Sequence, residues 1–232
     1  IGKRIGVTRS MVSRMLAEAR RQGIVEIIVH RPVMADHDLT SELIKRFGLK
    51  DAFVVADTCS DHQRLLRMLG HAGAVILERY LRPNMTVGIV WGTATNAVVD
   101  ALPSRDLSPV NVVQLAGAVD AQAGPYDGHA LVTRLAQKLN GRPFYLNAPL
   151  VVDNPETVAA LNAAPSVNEA LLMGRKCDIA VLGIGGTDPA YCSYCLTGNI
   201  TPAQLARYVE AGAVGVVYAN YYASDGTPVQ TD

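Results

Sequence analysis

Apolar residues recur along the chain with two different periods, and these predict its elements. Met11, Val12, Met15, Leu16 and Ala19 fall at helical spacing on one face. Thr8 stands before them as an N-cap and Gly23 after them as a stop. Ile1 and Ile5 share one face of a shorter helix that Gly6 breaks, so the start of the chain reads as helix, tight glycine turn, helix. The β-branched run Ile24–Val29 predicts a strand ended by His30, Arg31 and Pro32. Residues 32–38 are turn-rich and mark the expected boundary between a segment 1–31 and a body 32–232. In the body, Leu39–Phe47 predicts an amphipathic helix closed by Gly48, and Ala52–Ala56 a strand. Residues 61–81 predict a long helix buried through Leu65, Leu69, Ala72, Val75, Ile76 and Leu81.

Beyond Pro83 the alternation becomes regular. Strands are predicted at Met85–Val90, Val110–Leu115, Phe144–Leu146 and Asp178–Leu182, and Val214–Tyr218 is a short apolar run. Helices are predicted at Ala94–Leu102, Gly128–Leu139, Thr157–Leu161, Val167–Met173 and Thr201–Glu210. Nearly continuous apolar strands alternating with helices indicate an α/β fold built on a mostly parallel sheet covered on both faces. Ligands of such sheets sit beyond the carboxyl ends of the strands. Three glycine-bearing stretches lie there: Gly88–Thr95, Gly117 and Gly183–Gly186.

The stretch Gly88–Thr95 holds two glycines, two threonines and the only tryptophan, Trp91, at a strand-to-helix turn. Free N–H groups at a helix N-terminus stabilise an anion, glycine admits a close oxygen, and the Thr93 and Thr95 hydroxyls can donate. Taken by itself the turn is equally a phosphate cradle and an ordinary β–α turn with Thr93 as N-cap. It matches neither the P-loop nor the dinucleotide fingerprint.

Charge changes the picture at the N-terminal end. Net charge is zero overall, yet residues 1–31 carry +5 and the remainder −5. A basic module that meets a polyanion, joined to an acidic body, fits that asymmetry. Thr8, Arg9, Ser10, Ser13 and Arg14 lie off the apolar face, toward the N-terminal end of the second helix. Hydroxyls there suit DNA phosphates, and an arginine suits a guanine edge.

The apolar content of 49% fits a packed globular chain. No apolar run approaches the roughly 18 residues of a membrane span, and no signal peptide is evident, so a cytoplasmic location is expected. Cys192 and Cys195 have CxxC spacing, but no second ligand pair follows. With Cys59 and Cys177 they read as reduced thiols, and no metal or cofactor is expected.

These residues also carry a resemblance. Gly6-Val7-Thr8-Arg9-Ser10, Val12-Ser13-Arg14-Met15-Leu16 and Gly23-Ile24-Val25-Glu26-Ile27 come first. Arg46–Ala52, Val87-Gly88-Ile89-Val90-Trp91-Gly92-Thr93, Val113-Gln114-Leu115-Ala116-Gly117 and Val181–Gly186 follow in order. Over nearly its whole length the chain resembles the SorC family of bacterial sugar-responsive transcription regulators. The resemblance implies a Rossmann-like sugar-phosphate-binding body related to phosphosugar isomerases and deaminases, preceded by a partial helix-turn-helix. It also implies ligand-controlled binding to operator DNA by a homo-oligomer. Gly88, Trp91, Gly92, Thr93 and Thr95 would hold the phosphate or the sugar near it. Gln114 and Gly117 would line the same mouth, Gly183, Gly185 and Gly186 would form a glycine loop, and Asp225 would be an acidic pocket residue. Against that pattern the chain starts inside the helix-turn-helix and stops at Asp232, where the family continues. The expectation is therefore a fragment with part of its pocket missing. Val90 also stands where a hydroxyl residue is common.

The reading that joins these features is a transcriptional regulator controlled by a phosphorylated sugar, and not an enzyme. The alternative is a phosphosugar isomerase or deaminase, which needs a general base. Candidates are Asp178, Asp188 and His129. A purely structural or interaction domain built around helix 61–81 would leave the three glycine-lined strand ends unexplained.

Overall fold

The computed structural model describes residues 6–22, 24, 34–56, 61–119, 124, 126–152 and 154–231. The chain divides into two compact units, residues 1–32 and 33–232. In the first, helix α1 (Arg9–Arg21) is capped by the Thr8 hydroxyl, which accepts from the Met11 N–H at 3.3 Å. The expected first helix with Ile1 and Ile5, the Gly23 stop, and residues 25–29 of the expected strand fall outside the described residues.

The second unit opens with α2 (His37–Phe47), capped by Asp36 and ended by Gly48 in the left-handed conformation. The strand expected at Ala52–Ala56 is not part of a sheet. Only Val55 forms a bridge, antiparallel to Ala35, framed by Asp36 N–H to Val54 O and Ala56 N–H to Met34 O, both 2.8 Å. β-branched composition favours extended backbone there, but an extended segment becomes a sheet strand only where a ladder of partners exists.

Helix α3 (His62–Tyr80) leads into the central sheet. That sheet comprises β1 (Thr86–Ile89), β2 (Asn111–Gln114), β3 (Arg142–Phe144) and β4 (Ile179–Val181), all parallel, in the order β3-β2-β1-β4. The crossovers are α4 (Thr93–Ala101) between β1 and β2, and α5 (Gly128–Leu139) between β2 and β3. Two further helices, α6 (Pro155–Ala163) and α7 (Pro165–Arg175), carry the chain from β3 to β4. The fold is mixed α/β with this sheet flanked by helices. Successive residues leaving β2 show both faces: Gln114 lies against Gly128 of α5, and Leu115 against Gly174 of α7. The core is aliphatic, with Val87, Ile89, Val112, Leu131, Leu135 and Leu139 fully buried.

The last apolar run forms a strand, but outside the parallel sheet. Ala213–Val217 (β6) does not extend the parallel sheet. It pairs antiparallel with β5 (Ile184–Gly185) and β7 (Asn220–Ala223) in a separate three-stranded sheet. Its small core gathers Cys192, Leu205, Tyr208 and Tyr221 around α8 (Ser193–Leu196) and α9 (Pro202–Glu210). An apolar run does not state its partner: a two-residue turn after Val217 sends the chain straight back, which only an antiparallel pair allows. No helix among the described residues is long and apolar enough to cross a membrane.

Helices α3 and α4 pack at close range through a small residue. A Cβ at Gly70 would stand 2.5 Å from the Ala97 carbonyl oxygen. Gly70→Ala should therefore destabilise the chain, although alanine is the better helix former. The overpacking cost of about 1–3 kcal/mol outweighs a propensity gain of about 0.5–1 kcal/mol. A lower urea midpoint with an unchanged slope is the expected result. Truncating Leu135 to alanine, by contrast, should cost about 2–5 kcal/mol through the cavity it leaves.

Candidate functional site

The strand order places β1 beside β4, with the chain leaving β1 toward β2 on one side and crossing back from β3 to β4 on the other. This is the topological switch point of an open α/β sheet, where the connections diverge and leave a crevice at the carboxyl ends. Val90 N–H donates to Val181 O at 2.9 Å and holds the two strand ends side by side. Beyond them lies a cavity of about 270 Å³. Trp91–Ala94 and Gly183–Gly186 both line it, and α3, α8 and the second sheet supply most of the remainder.

The wall at Trp91–Ala94 is rigid for identifiable reasons. Trp91 is 4% exposed, and its Nε1 donates to the Gly117 carbonyl at 3.0 Å. Its ring meets Tyr194 edge-on at 5.5 Å and Tyr126 at 6.3 Å. Gly92 is the N-cap of α4, with φ 155° and ψ 165°, a backbone that side chains other than glycine rarely adopt. The expected Thr93 cap is thereby corrected: Thr93 is the first helical residue, and no side chain caps the helix. The first helical hydrogen bond runs from Asn96 N–H to Gly92 O. The N–H groups of Thr93, Ala94 and Thr95 therefore have no acceptor within the helix, at the end where its dipole is positive.

The structure brings together six of the residues singled out in the sequence. Trp91, Gly92, Thr93, Gly183, Gly185 and Gly186 line the cavity. The others stand elsewhere. Gly88 lies inside β1, where a Cβ would meet the Leu115 side chain at 2.7 Å, so it serves packing. Thr95 is 2% exposed and its hydroxyl donates to Gly92 O at 3.1 Å, which removes it as a ligand donor. Gln114 is 1% exposed and its Nε2 donates to Ala116 O at 2.8 Å. Its Oε1 has no partner among the described residues. Gly117 anchors Trp91 and lines a neighbouring cavity of about 390 Å³. Asp225 lines neither cavity. It closes its own turn by accepting from Thr227 N–H at 3.0 Å and Thr227 Oγ1 at 2.7 Å, and these bonds hold its carboxyl below the usual range.

The candidate bases stand off the cavity too. Asp178 Oδ2 accepts from Thr86 N–H at 2.8 Å, at the amino end of the sheet. Asp188 accepts from Ala190 N–H within its own loop. His129 stacks on Tyr145 and meets Asn147 at 3.2 Å. The sequence reading missed His62, Tyr191, Tyr194 and Tyr218, all of which line the cavity. Tyr194 was in view, inside the Cys192–Cys195 motif, but as a spacer between thiols. Cys192 is buried with Sγ 3.7 Å from the Tyr221 hydroxyl, and burial together with Cys192 pushes the Cys195 thiol up to about 11. No cluster of metal-binding side chains occurs among the described residues.

On α1, Arg9, Ser10, Ser13 and Arg14 are exposed, and Thr8 Oγ1 lies 3.0 Å from Ser10 Oγ. Ser10, Ser13 and Arg14 share one helical face, opposite Val12, Met15 and Ala19, with Arg9 to one side.

Comparison with known proteins places this architecture among relatives. Residues 31–232 match the Sugar-bind family of sugar-binding domains. The sorbitol operon regulator of Klebsiella pneumoniae is 27% identical over 187 residues, 80% of this chain and 59% of that protein. The transcriptional regulator LsrR of Klebsiella pneumoniae subsp. pneumoniae is 30% identical over 232 residues, 99% of this chain and 69% of the relative. The chain thus spans between about half and three quarters of the curated relatives it matches. The crystal structure of full-length SorC from Klebsiella pneumoniae superposes with a TM-score of 0.78 at 24% identity, over 100% of this chain and 74% of SorC, which shows the shared fold. With the switch-point cavity, the uncapped helix and these matches together, the chain belongs to the sugar-binding domain family that includes SorC and related regulators.

Proposed function

We propose that the chain is the effector-sensing body, with part of the DNA-binding element, of a transcription regulator whose effector is a phosphorylated sugar. The observation that carries this reading is the uncapped N-terminus of α4, which lines a cavity at the switch point together with the Gly183–Gly186 loop. Backbone N–H groups and the helix dipole would hold the phosphate. The sugar would occupy the space toward Tyr194 and Tyr218. The relatives named as regulators support the same reading.

Control of DNA would follow by linkage. The effector favours one arrangement of a homo-oligomer and so changes the spacing of paired DNA-binding helices. Thr8, Ser10 and Ser13 would bind phosphates, and Arg9 and Arg14 would reach phosphates or a base edge. Catalysis has less support, because no carboxylate is among the described residues that line the cavity and its imidazole, His62, packs against the Tyr191 ring at 4.7 Å.

A thermal-shift series tests the effector reading. Phosphorylated pentoses and hexoses should raise the melting temperature where the matching free sugars do not. At a hundredfold excess over Kd the stabilisation is about 2.7 kcal/mol. Gly92→Val should abolish the response, since valine is strained at this φ and disturbs the turn. A response to free sugars equal to that for their phosphates would refute the phosphate site.

The DNA reading has its own check. With a fragment selected from a random pool, Arg14→Ala should weaken binding by about 1–3 kcal/mol if Arg14 reads a base edge. If it contacts a phosphate instead, the salt slope should fall by about 1. An unchanged gel shift together with an unchanged salt slope would remove α1 from the DNA interface.

A further inference from the structure

We infer that Tyr218 sets how far a ligand held at the α4 N-terminus can extend, and that the chain keeps a strained turn in order to place it. The inference rests on the effector reading above and adds to it a residue that determines ligand length.

The second sheet turns between β6 and β7 through two residues, with Val217 paired to Asn220. Both turn residues have positive φ: Tyr218 at 53° and Ala219 at 61°. Two-residue hairpins of this kind favour Asn-Gly, Asp-Gly or Gly-Gly, because side chains crowd the backbone in that region. A bulky tyrosine there is a genuine outlier, persisting only where its surroundings over-determine it.

Those surroundings are specific. Ala219 N–H donates to the Tyr194 hydroxyl at 2.9 Å, and Asn220 Nδ2 donates to Tyr218 O at 2.8 Å. The Tyr218 hydroxyl donates to the Leu115 carbonyl, just past the end of β2. Burial raises the Tyr218 phenol above its ordinary pKa, so it remains a neutral donor. The side chain thereby spans from the tip of the second sheet to the carboxyl end of the first.

What it separates gives the strain a purpose. Tyr218 is a wall of both cavities, the one of about 270 Å³ at the α4 N-terminus and the one of about 390 Å³ beyond β2 and β3. The first offers backbone donors and glycines. The second is largely apolar, with Leu146, Pro149, Leu161, Val167 and Leu171 in its walls. With the ring in place, a ligand anchored by phosphate in the first cavity ends at Tyr218. Without it, the two spaces run together and the apolar one becomes reachable from the phosphate site.

The test uses the intact chain and reads Trp91, its only tryptophan, which lines the first cavity. Inorganic phosphate and hexyl phosphate are titrated against wild type, Tyr218→Gly and Tyr218→Phe. Tyr218→Gly is read by its affinity for hexyl phosphate relative to its affinity for inorganic phosphate. That ratio should rise about tenfold or more, the effect of burying roughly two methylenes. Tyr218→Phe keeps the ring and should keep the wild-type ratio of the two affinities. If Tyr218→Gly does not fold, Tyr218→Asn, whose side chain also tolerates positive φ, takes its place. A ratio unchanged in the small variant overturns the assignment of Tyr218 alone. Wild type that binds neither probe overturns the phosphate site, and this inference with it.

Discussion

The hydrogen bond from Trp91 Nε1 to the Gly117 carbonyl is the constraint on which the site depends. It joins the turn after β1 to the segment after β2, two strand ends that the parallel ladder alone leaves free to diverge. On the other side, the Val90–Val181 bond holds the ends of β1 and β4 together. Between these two fixed points the chain can present Gly92 in a conformation closed to other residues and leave the first turn of α4 uncapped. An uncapped N-terminus costs stability in isolation. A buried indole that satisfies its own donor supplies the rigidity that keeps it open.

The same geometry explains why anion recognition here would rely on backbone rather than on charged side chains. The polar groups that the described cavity walls offer are N–H groups of a helix start, glycine backbone, the Thr93 and Ser193 hydroxyls, His62 and tyrosines. The backbone N–H groups among these are fixed by the fold and carry no titrating proton. Of the side chains that could act as a base, Asp178, Asp188 and His129 are committed to bonds elsewhere, and His62, which lines the cavity, packs against the Tyr191 ring. The second sheet completes the enclosure, and its strained Tyr218 turn ties it to the end of β2.

Much of the fold was legible because its signals are local. The helical spacing over residues 62–80 and the apolar runs at β1 and β2 both follow from short-range chemistry. So does the stop at Gly48. The misreadings concern partners. Ala52–Ala56 has strand composition, yet it finds only one bridge, to Ala35. Val214–Tyr218 reads only as a short apolar run, and it pairs antiparallel in a separate sheet, because a two-residue turn after Val217 reverses the chain. No residue type announces that reversal: Tyr-Ala is not a turn dipeptide, and only the tertiary bonds to Leu115 and Tyr194 hold it.

For the site the division is similar. The sequence by itself determined that a glycine- and threonine-bearing turn follows an apolar strand and opens a helix, and that a basic helix with an exposed hydroxyl and arginine face precedes the body. Periodicity, caps and glycine chemistry are enough for both. Tertiary structure alone decided which side chains face the ligand space. It turned Thr95 inward, set Gly88 against Leu115, left Asp225 in its own turn, and brought His62, Tyr194 and Tyr218 to the cavity from distant parts of the chain. The physical reason is that hydroxyls, carboxylates and rings satisfy whichever partner the fold brings near, and those partners are set by strand order rather than by neighbours in sequence.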